Sequence, residues 1–515
     1  MSYPVGTILS PTGQPVMSET NPTPLYEGAS VSVRMGDWGM SSAGPTASMM
    51  GGLSAVRSRV RDLERNNPTV KGAIDSFVSN LVGTDISPNW NLDNQEQKDE
   101  LQQLWDDSQV EADFYGVSDF YGTLEIVARS MIRDGEQLAR FHDVDPSLGL
   151  IVPLQVQLLE ADHLDAAYND ISPEGNEIRF GIEWQNGRRK RYWLYADHPG
   201  ENFLLGSNLT RLPIDARDIA HVFRPLRAGQ ARGISWLAPL ITKLREIDIY
   251  DDAEVVRKKV AALWGGFIYS DAPVSDRVSF GGVQKATSNN VSSIELKPGT
   301  FPVLKNGMKI QFSDTADVGN NYQAFMRTQF RMIARGLGIT YEQLTGDLEG
   351  VNYTSLRAGL IEFRRLCETI IARTLIFQYC RPWVNRWIKT AVLSGATRTI
   401  SVADYLRSPR FFHRVDWNMD GWDFTDPVKD RVAEQMDIRN GIETRGQKIA
   451  KRGGNLDKID RQNAAEKARA DELGMVYDCY PSQTDKKGSL QAVIDQTIED
   501  STKDDDADQP KKDQG

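Results

Sequence analysis

Apolar residues recur through residues 235–264 at Leu237, Leu240, Ile241, Leu244, Ile247, Val256, Val260 and Leu263, with polar residues between them. This is the spacing of one face of an amphipathic helix, and it predicts a rod of roughly 45 Å. Pro239 falls in its first turn, where a missing N–H costs little. A second rod is predicted over 321–338 from Tyr322, Phe325, Met326, Phe330, Ile333 and Leu337, with Arg327, Arg331 and Arg335 as a basic ridge four residues apart. A third, over 353–393, carries Leu356, Leu360, Ile361, Leu366, Ile370, Ile371 and Phe377. Pro382 should kink it, because the proline ring clashes with the carbonyl of Gln378. Most of these apolar residues read as ordinary helical core. The face of the first rod opposite its stripe bears Asp248, Asp251 and Asp252, then Arg257, Lys258 and Lys259.

Upstream, Val56, Val60 and Leu63 give one helical face, and Asn66-Asn67-Pro68 interrupts it. Val70, Ile74, Phe77, Val78 and Leu81 resume the pattern until Gly83. Arg57, Arg59, Arg61 and Arg65 read as a solvated helix face. Two or three helices are expected over 96–140 and short alternating strands from residue 151 onward. The alternation at 178–184 is followed by Asn186-Gly187, a type I′ hairpin signal, and by a returning strand at 192–195. Arg188, Arg189, Lys190 and Arg191 at that turn form the strongest basic cluster, as hairpin tips often do for solubility.

Between the first two rods, 265–320 holds short strands at 293–296, 301–304 and 309–312, with a Ser/Asn-rich stretch near Thr287, Asn289 and Asn290 and a turn at Pro298-Gly299. An insertion joining two long helices must sit at their far end as a small α+β lobe. Phe411, Phe412, Trp417, Trp422 and Phe424 make an aromatic-rich loop, read as satellite core, and 426–467 is helical again. Residues 1–54, rich in Gly, Pro, Ser and Thr, and the charged tail 476–515 are expected to be poorly ordered. The fold class is α+β, mostly helical.

A chain of 515 residues carries several cores, and a net charge of −11 argues against a simple nucleic-acid binder. Cys367, Cys380 and Cys479 are too few for a disulfide framework or a zinc site, which points to a reducing compartment. No stretch reaches the roughly 18 apolar residues of a membrane span, and the N-terminus lacks a signal pattern. No phosphate loop of the G-x-x-x-x-G-K-[ST] type occurs. Gly233-Ile234-Ser235-Trp236-Leu237 lacks the last glycine of a nucleophile elbow. Asp162, His163 and Asp165 are the only local cluster involving one of the five histidines, and they read as a loop salt bridge. No catalytic residue, metal ligand or cofactor is expected.

Three blocks nevertheless resemble one family: RDLERNNPTVKGAIDSFVSNLVGTDI at 61–86, HVFRPLRAGQARGISWLAPLI at 221–241 and ARGLGITYEQLTGDLEGVNYTSLRAGLIEFRR at 334–365. In this order they are similar to the portal proteins of tailed phages, lambda type, over about 55–430. The resemblance implies a portal-type fold in a homo-oligomeric ring, usually of twelve subunits, at one vertex of the phage head. Double-stranded DNA would pass through its axis without sequence recognition. It implies a wing at 55–234 and 353–425, stem helices at 235–264 and 321–338, a clip at 265–320, a channel loop region at 339–352 and a crown at 426–475. Gly346, Asp347, Leu348, Glu349, Gly350, Val351 and Asn352 would form the DNA-facing loop. Residue by residue, that segment also reads as a plain helix connection with Asn352 as N-cap.

The resemblance further implies as partners the terminase large subunit and a head–tail adaptor, docking on the clip at Thr287, Asn289, Asn290, Pro298 and Gly299. Major capsid and scaffolding proteins would be partners too, with no membrane. The place is the virion, at a capsid vertex, after assembly in the host cytoplasm. An acidic channel wall would repel phosphates uniformly and lower friction. Asp248, Asp251 and Asp252 of one subunit are expected to meet Arg327, Arg331 and Arg335 of the next. The alternatives are another structural ring protein of the head–tail connector, or a DNA-processing enzyme of the packaging motor; the missing phosphate loop counts against the motor.

Overall fold

The computed structural model describes residues 41–49, 51–201, 208–263, 267–270, 308–311, 319–419, 421–422 and 427–475. The expected docking positions Thr287, Asn289, Asn290, Pro298 and Gly299 lie outside them, as do the tail 476–515 and Phe424.

Among the described residues a 3₁₀ turn, Ala47–Met49, precedes two helices, α1 (Leu53–Asn66) and α2 (Pro68–Val82), with Asn67 accepting from the Val70 N–H as N-cap of the second. Strand β1 (Ile86–Trp90) and helices α3 (Gln95–Ser108) and α4 (Phe120–Arg133) follow. The helical expectation through residue 140 fails at its end. Gly135 turns the chain, and 136–143 becomes strand β2 (Glu136–Asp143), paired with β3 (Leu154–Leu159).

A five-stranded antiparallel sheet comes next, β4 (Asp170–Ile171), β5 (Glu177–Arg179), β6 (Ile182–Gln185), β7 (Arg188–Tyr195) and β8 (Arg211–Asp215). Asn186 and Gly187 both take positive φ, as a type I′ turn requires. Phe180 and Gly181 do so too, which splits the expected strand 178–184 into β5 and β6. Strand β9 (Ile219–Phe223) returns to pair with β2, making the order β3-β2-β9.

The first rod, α5 (Ile241–Leu263), starts later than its apolar pattern suggests. The Ser235 hydroxyl and Trp236 N–H are both spent on the Ile132 carbonyl at the end of α4, and Ala238–Leu240 forms a single 3₁₀ turn. At 23 residues α5 is roughly 35 Å long. Its stripe is buried at Leu244 and Ile247, but Val256 is exposed while Glu254 is the buried residue of that turn.

Strand β10 (Phe267–Ser270) pairs with β11 (Met308–Gln311), and α6 (Gly319–Leu337) runs back antiparallel to α5. The register of the two rods is fixed by Leu240 under Gly336, Lys243 Nζ 3.3 Å from the Met332 sulfur, and Tyr250 against Tyr322 and Phe325. Long paired helices with a small strand pair at one end are thus present.

Short α7 (Tyr341–Thr345) leads to α8 (Tyr353–Ile370), a ten-residue π-helical stretch Ile371–Cys380, and α9 (Arg381–Leu393). The disturbance expected at Pro382 takes this form: the Arg381 N–H bonds the Ile376 carbonyl, five residues back. Pro382 then sits in the first turn of α9, where no N–H is needed. Ile361 and Phe377, read as core, are exposed.

The aromatic-rich loop contains α10 (Val402–Arg407), α11 (Pro409–Phe412) and strand β12 (Val415–Met419), which pairs with β1 over a separation of more than 300 residues. Helices α12 (Pro427–Arg439), α13 (Arg445–Ala450) and α14 (Leu456–Glu472) end the described chain.

One large apolar core joins α1, α2, α4, α8, the π stretch, α9 and the base of the α5–α6 hairpin. A second lies between β2, β3 and the five-stranded sheet, around Leu138, Ile182, Tyr192 and Leu194. Of the expected poorly ordered arm, residues 41–49 are packed: the Ala231 N–H donates to Thr46 Oγ1 at 3.1 Å.

Candidate functional site

The base of the helical hairpin is where α6, α7 and the loop 346–352 meet. Thr340 and Gln343 form a capping box on α7, so the loop springs from a fixed turn. Gly346 and Gly350 both have φ of 70°, and a Cβ added at either would meet nothing within 4 Å. The loop therefore needs glycine for backbone conformation and not for close packing. Asn352 Oδ1 accepts from the Thr354 N–H and caps α8, as its position in the sequence suggests.

Asp347 ties the loop to the rod. Its Oδ1 accepts from the Glu349 N–H at 3.0 Å, and its Oδ2 accepts from Arg327 at 3.2 Å and from the Tyr341 hydroxyl at 3.1 Å. The Glu349 backbone bond, with Arg327 and Tyr341 behind it, holds this carboxyl below its ordinary range. Arg327 and Arg331 both lie over the Tyr341 ring, at 5.6 and 5.8 Å from its centroid. Leu348 is 67% exposed, Glu349 is exposed and Val351 is half-buried. The loop tip thus presents Leu348 and Glu349 outward, while Asp347 is answered from within the chain. Tyr341 is the member of this group that the sequence reading did not single out. Its signal was position: one turn before Gly346, directly after the cap Thr340.

The two charged faces of the rods are partly occupied within the chain. Asp248 accepts from Asn67 at 2.9 Å, and the Tyr322 hydroxyl donates to Asp251. Arg335 reaches Glu362 at 3.4 Å with both side chains largely exposed. Asp252, Arg331 and Arg335 remain on the exposed surface.

A second charged group holds the hairpin to the body, and sequence reading missed it. The fully buried carboxylate of Glu136 accepts from Arg232 at 2.5 Å, from His221 Nε2 at 2.9 Å, from Arg57 at 3.3 Å and from the Gly233 N–H at 2.8 Å. Burial would raise this carboxyl, but Arg232 and the His221 hydrogen bond hold it well below the usual range. Burial pushes His221 down to about 4, so its neutral ring donates from Nε2 and accepts at Nδ1 from Arg189 and Tyr192.

Arg57 and Arg61, read as solvated, are instead ion-pair partners: Arg57 of Glu136 and Asp162, Arg61 of Asp134, Glu160 and Asp162. The expected salt bridge at Asp162 is present with these distant partners, while His163 bonds the Tyr195 carbonyl. The basic hairpin turn is answered too, Lys190 and Arg191 by Glu174 and Arg189 by the Ala231 carbonyl.

Glu160, Asp162 and His198 could converge on a cation, but Arg57 and Arg61 already neutralise Asp162. No helix among the described residues is long and apolar enough to cross a membrane.

Residues 32–370 match the model of the family described as phage portal protein, lambda family. A probable portal protein of Halomonas phage phiHAP-1 is 27% identical over 355 residues, covering 67% of this chain and 65% of that protein, so the match spans just under two thirds of that relative. Portal protein B of Escherichia phage lambda is 20% identical over 500 residues, covering 88% of this chain and 91% of that one. Among solved structures, a chain from the neck of an empty GTA particle is similar at a TM-score of 0.41 and 12% identity, over 76% of this chain and 91% of that chain. With its family model matched over well more than half its length, the chain belongs to the lambda family of phage portal proteins.

Proposed function

We propose that this chain is the repeating subunit of a ring, of twelve copies, that closes one vertex of a phage head and conducts double-stranded DNA during packaging and ejection. The observation that carries this reading is the α5–α6 hairpin with its strand pair at one end, in a chain of the portal family. In this reading α5 and α6 are the stem, 265–320 the clip, 346–352 the channel loop, 55–234 and 353–425 the wing, and 426–475 the crown. The clip, at the distal end of the stem, docks the terminase large subunit during filling and a head–tail adaptor afterwards. Capsid and scaffolding proteins surround the wing. The ring assembles in the host cytoplasm and stays at the vertex of the virion. It performs no chemistry, and its channel handles DNA without reading bases.

Neighbouring stems meet through the side of α5 away from α6 and the far side of α6. Because Asp248, Asp251 and Arg327 have partners inside the chain, the contact rests on Asp252 facing Arg331 of the next copy, with Arg335 exchanging its exposed pair with Glu362. Each exposed pair contributes about 0–1 kcal/mol, and closure multiplies it around the ring. Electron microscopy of the purified full chain tests the reading: closed rings with an axial hole are expected, and particles without a hole at every protein and salt concentration would overturn it. Nucleotide hydrolysis by the purified chain would favour a motor enzyme instead.

A further inference from the structure

Helix α12 turns its carboxylates inward and leaves a row of three apolar residues in water. Its carboxylates face the body: Asp430 pairs with Arg357 at 2.8 Å, Glu434 with Arg452 at 2.5 Å and Asp437 with Lys448 at 3.1 Å. Spaced four and three apart, they line one side of the helix. Val428, Val432 and Met436, spaced four apart on the other side, are 72%, 45% and 57% exposed. Arg439 lies on that side as well, and exposed Ile442 follows just beyond the helix. A surface helix ordinarily buries such a row and shows its charges to water. An apolar row left outward beside an arginine fits a covering segment that is apolar and acidic.

The chain itself contains such a segment. Beyond Met475, Leu490, Val493, Ile494 and Ile498 recur at helical spacing, interleaved with Asp495, Glu499 and Asp500 and followed by Asp504, Asp505 and Asp506. The residues between 475 and 490 can span up to ~50 Å, enough to reach α12 of the same chain.

We propose that residues 490–498 dock on the Val428, Val432 and Met436 face of α12, apolar row on apolar row, with their acidic residues toward Arg439. The C-terminal segment then acts as a strap that covers this helix. The proposal does not depend on the ring.

Hydrogen exchange on the full chain tests it. The double variant Val493→Asp/Ile494→Asp should speed amide exchange across 427–439 at least tenfold, with α1 and β2 unchanged as internal controls. Reciprocally, Val432→Asp/Met436→Asp should speed exchange across 488–500. Exchange over 427–439 that ignores the tail variant would overturn the proposal. So would protection that disappears only on dilution, because the cover would then be another surface of a second copy. Ring formation is read separately by microscopy, so failure of the strap and failure of the portal reading are distinguishable.

Discussion

The crossing beneath the helical hairpin and the loop at its base are built from similar parts. Each has a pair of glycines with a carboxylate near them and an arginine reaching in from another element. At the crossing, a Cβ on Gly135 would lie 2.2 Å from the Ile234 carbonyl carbon, and one on Gly233 would lie 2.1 Å from the Gly135 oxygen. The two backbones touch, and Glu136 is sealed between Arg232, His221 and Arg57. At the loop, Cβ atoms on Gly346 and Gly350 would meet open space, and Asp347 shares Arg327 with solvent. Burial separates the two. A desolvated carboxylate that loses its partner is left with a cost it cannot shed to water, whereas an exposed one is rehydrated. The crossing can only be intact or broken, and the loop can change partners. The crossing fixes the hairpin on the chain, and the loop at its base stays free to rearrange.

The largest expected effect falls on the crossing. Gly135→Ala or Gly233→Ala drives a methyl into backbone, and neither variant should give soluble folded chain. Arg232→Met, which keeps the volume but strands the Glu136 charge, should cost about 3–5 kcal/mol. Chemical denaturation against the parent measures it, and a loss below ~1 kcal/mol would show that Arg57 and His221 suffice alone.

A pH effect comes next, and its largest histidine contribution belongs to the crossing. His221 is held down at about 4 in the fold, against an ordinary value of 6.5. As pH falls from 6.5 toward 4, the unfolded chain takes up this proton first, so stability is lost across that window and is unaffected above it. Glu136 adds its own loss only at lower pH, as its carboxylate protonates. The melting temperature should drop between pH 7.5 and 5, and His221→Gln should flatten that slope while lowering the value at pH 7.5. An unchanged slope would place the titration elsewhere.

Smaller effects are expected at the loop glycines. Gly346→Ala and Gly350→Ala meet no atoms but force a side chain into the left-handed region, at about 1–2 kcal/mol each. Melting temperatures should fall by a few degrees and ring formation should be kept. A loss as large as at Gly135 would mean that the loop is packed against something in solution.

The contrast also explains what could be read from the chain. The rods, the first two helices and the Asn186-Gly187 turn were legible, because period and turn chemistry are local. The pairing of β1 with β12 was not, since neither strand carries information about a partner over 300 residues away. The Glu136 cluster was hidden for a similar reason: Arg57, Glu136, His221 and Arg232 come from four distant segments, and each alone looks like a surface residue. His221, Arg232 and Gly233 all lie in the block that carries the family resemblance, so the resemblance marked the crossing before its chemistry could be seen. At the loop, glycine spacing and the Asn352 cap were readable. The hold of Arg327 on Asp347 was not, because the ridge of which Arg327 is part faces several elements at once.

The smallest effect on stability, and the sharpest on function, is expected from Asp347→Lys/Glu349→Lys. Asp347 gives up its pair with Arg327 and its bonds to the Tyr341 hydroxyl and the Glu349 N–H, all within reach of water, and Glu349 is exposed, so the fold should change little. Rings should form as in the parent. The loop, however, would exchange two carboxylates for two ammonium groups and release Arg327, shifting the local charge by four units per subunit without counting the arginine. If 346–352 lines the channel, each new cation binds phosphate and slows the duplex, and the added drag must weaken steeply as salt rises. Packaging rate measured from low to high salt reads this directly: a defect that recovers with salt is expected. A variant that packages and retains DNA like the parent at low salt would place the loop away from DNA, leaving Asp347 as a helix-connection anchor and nothing more.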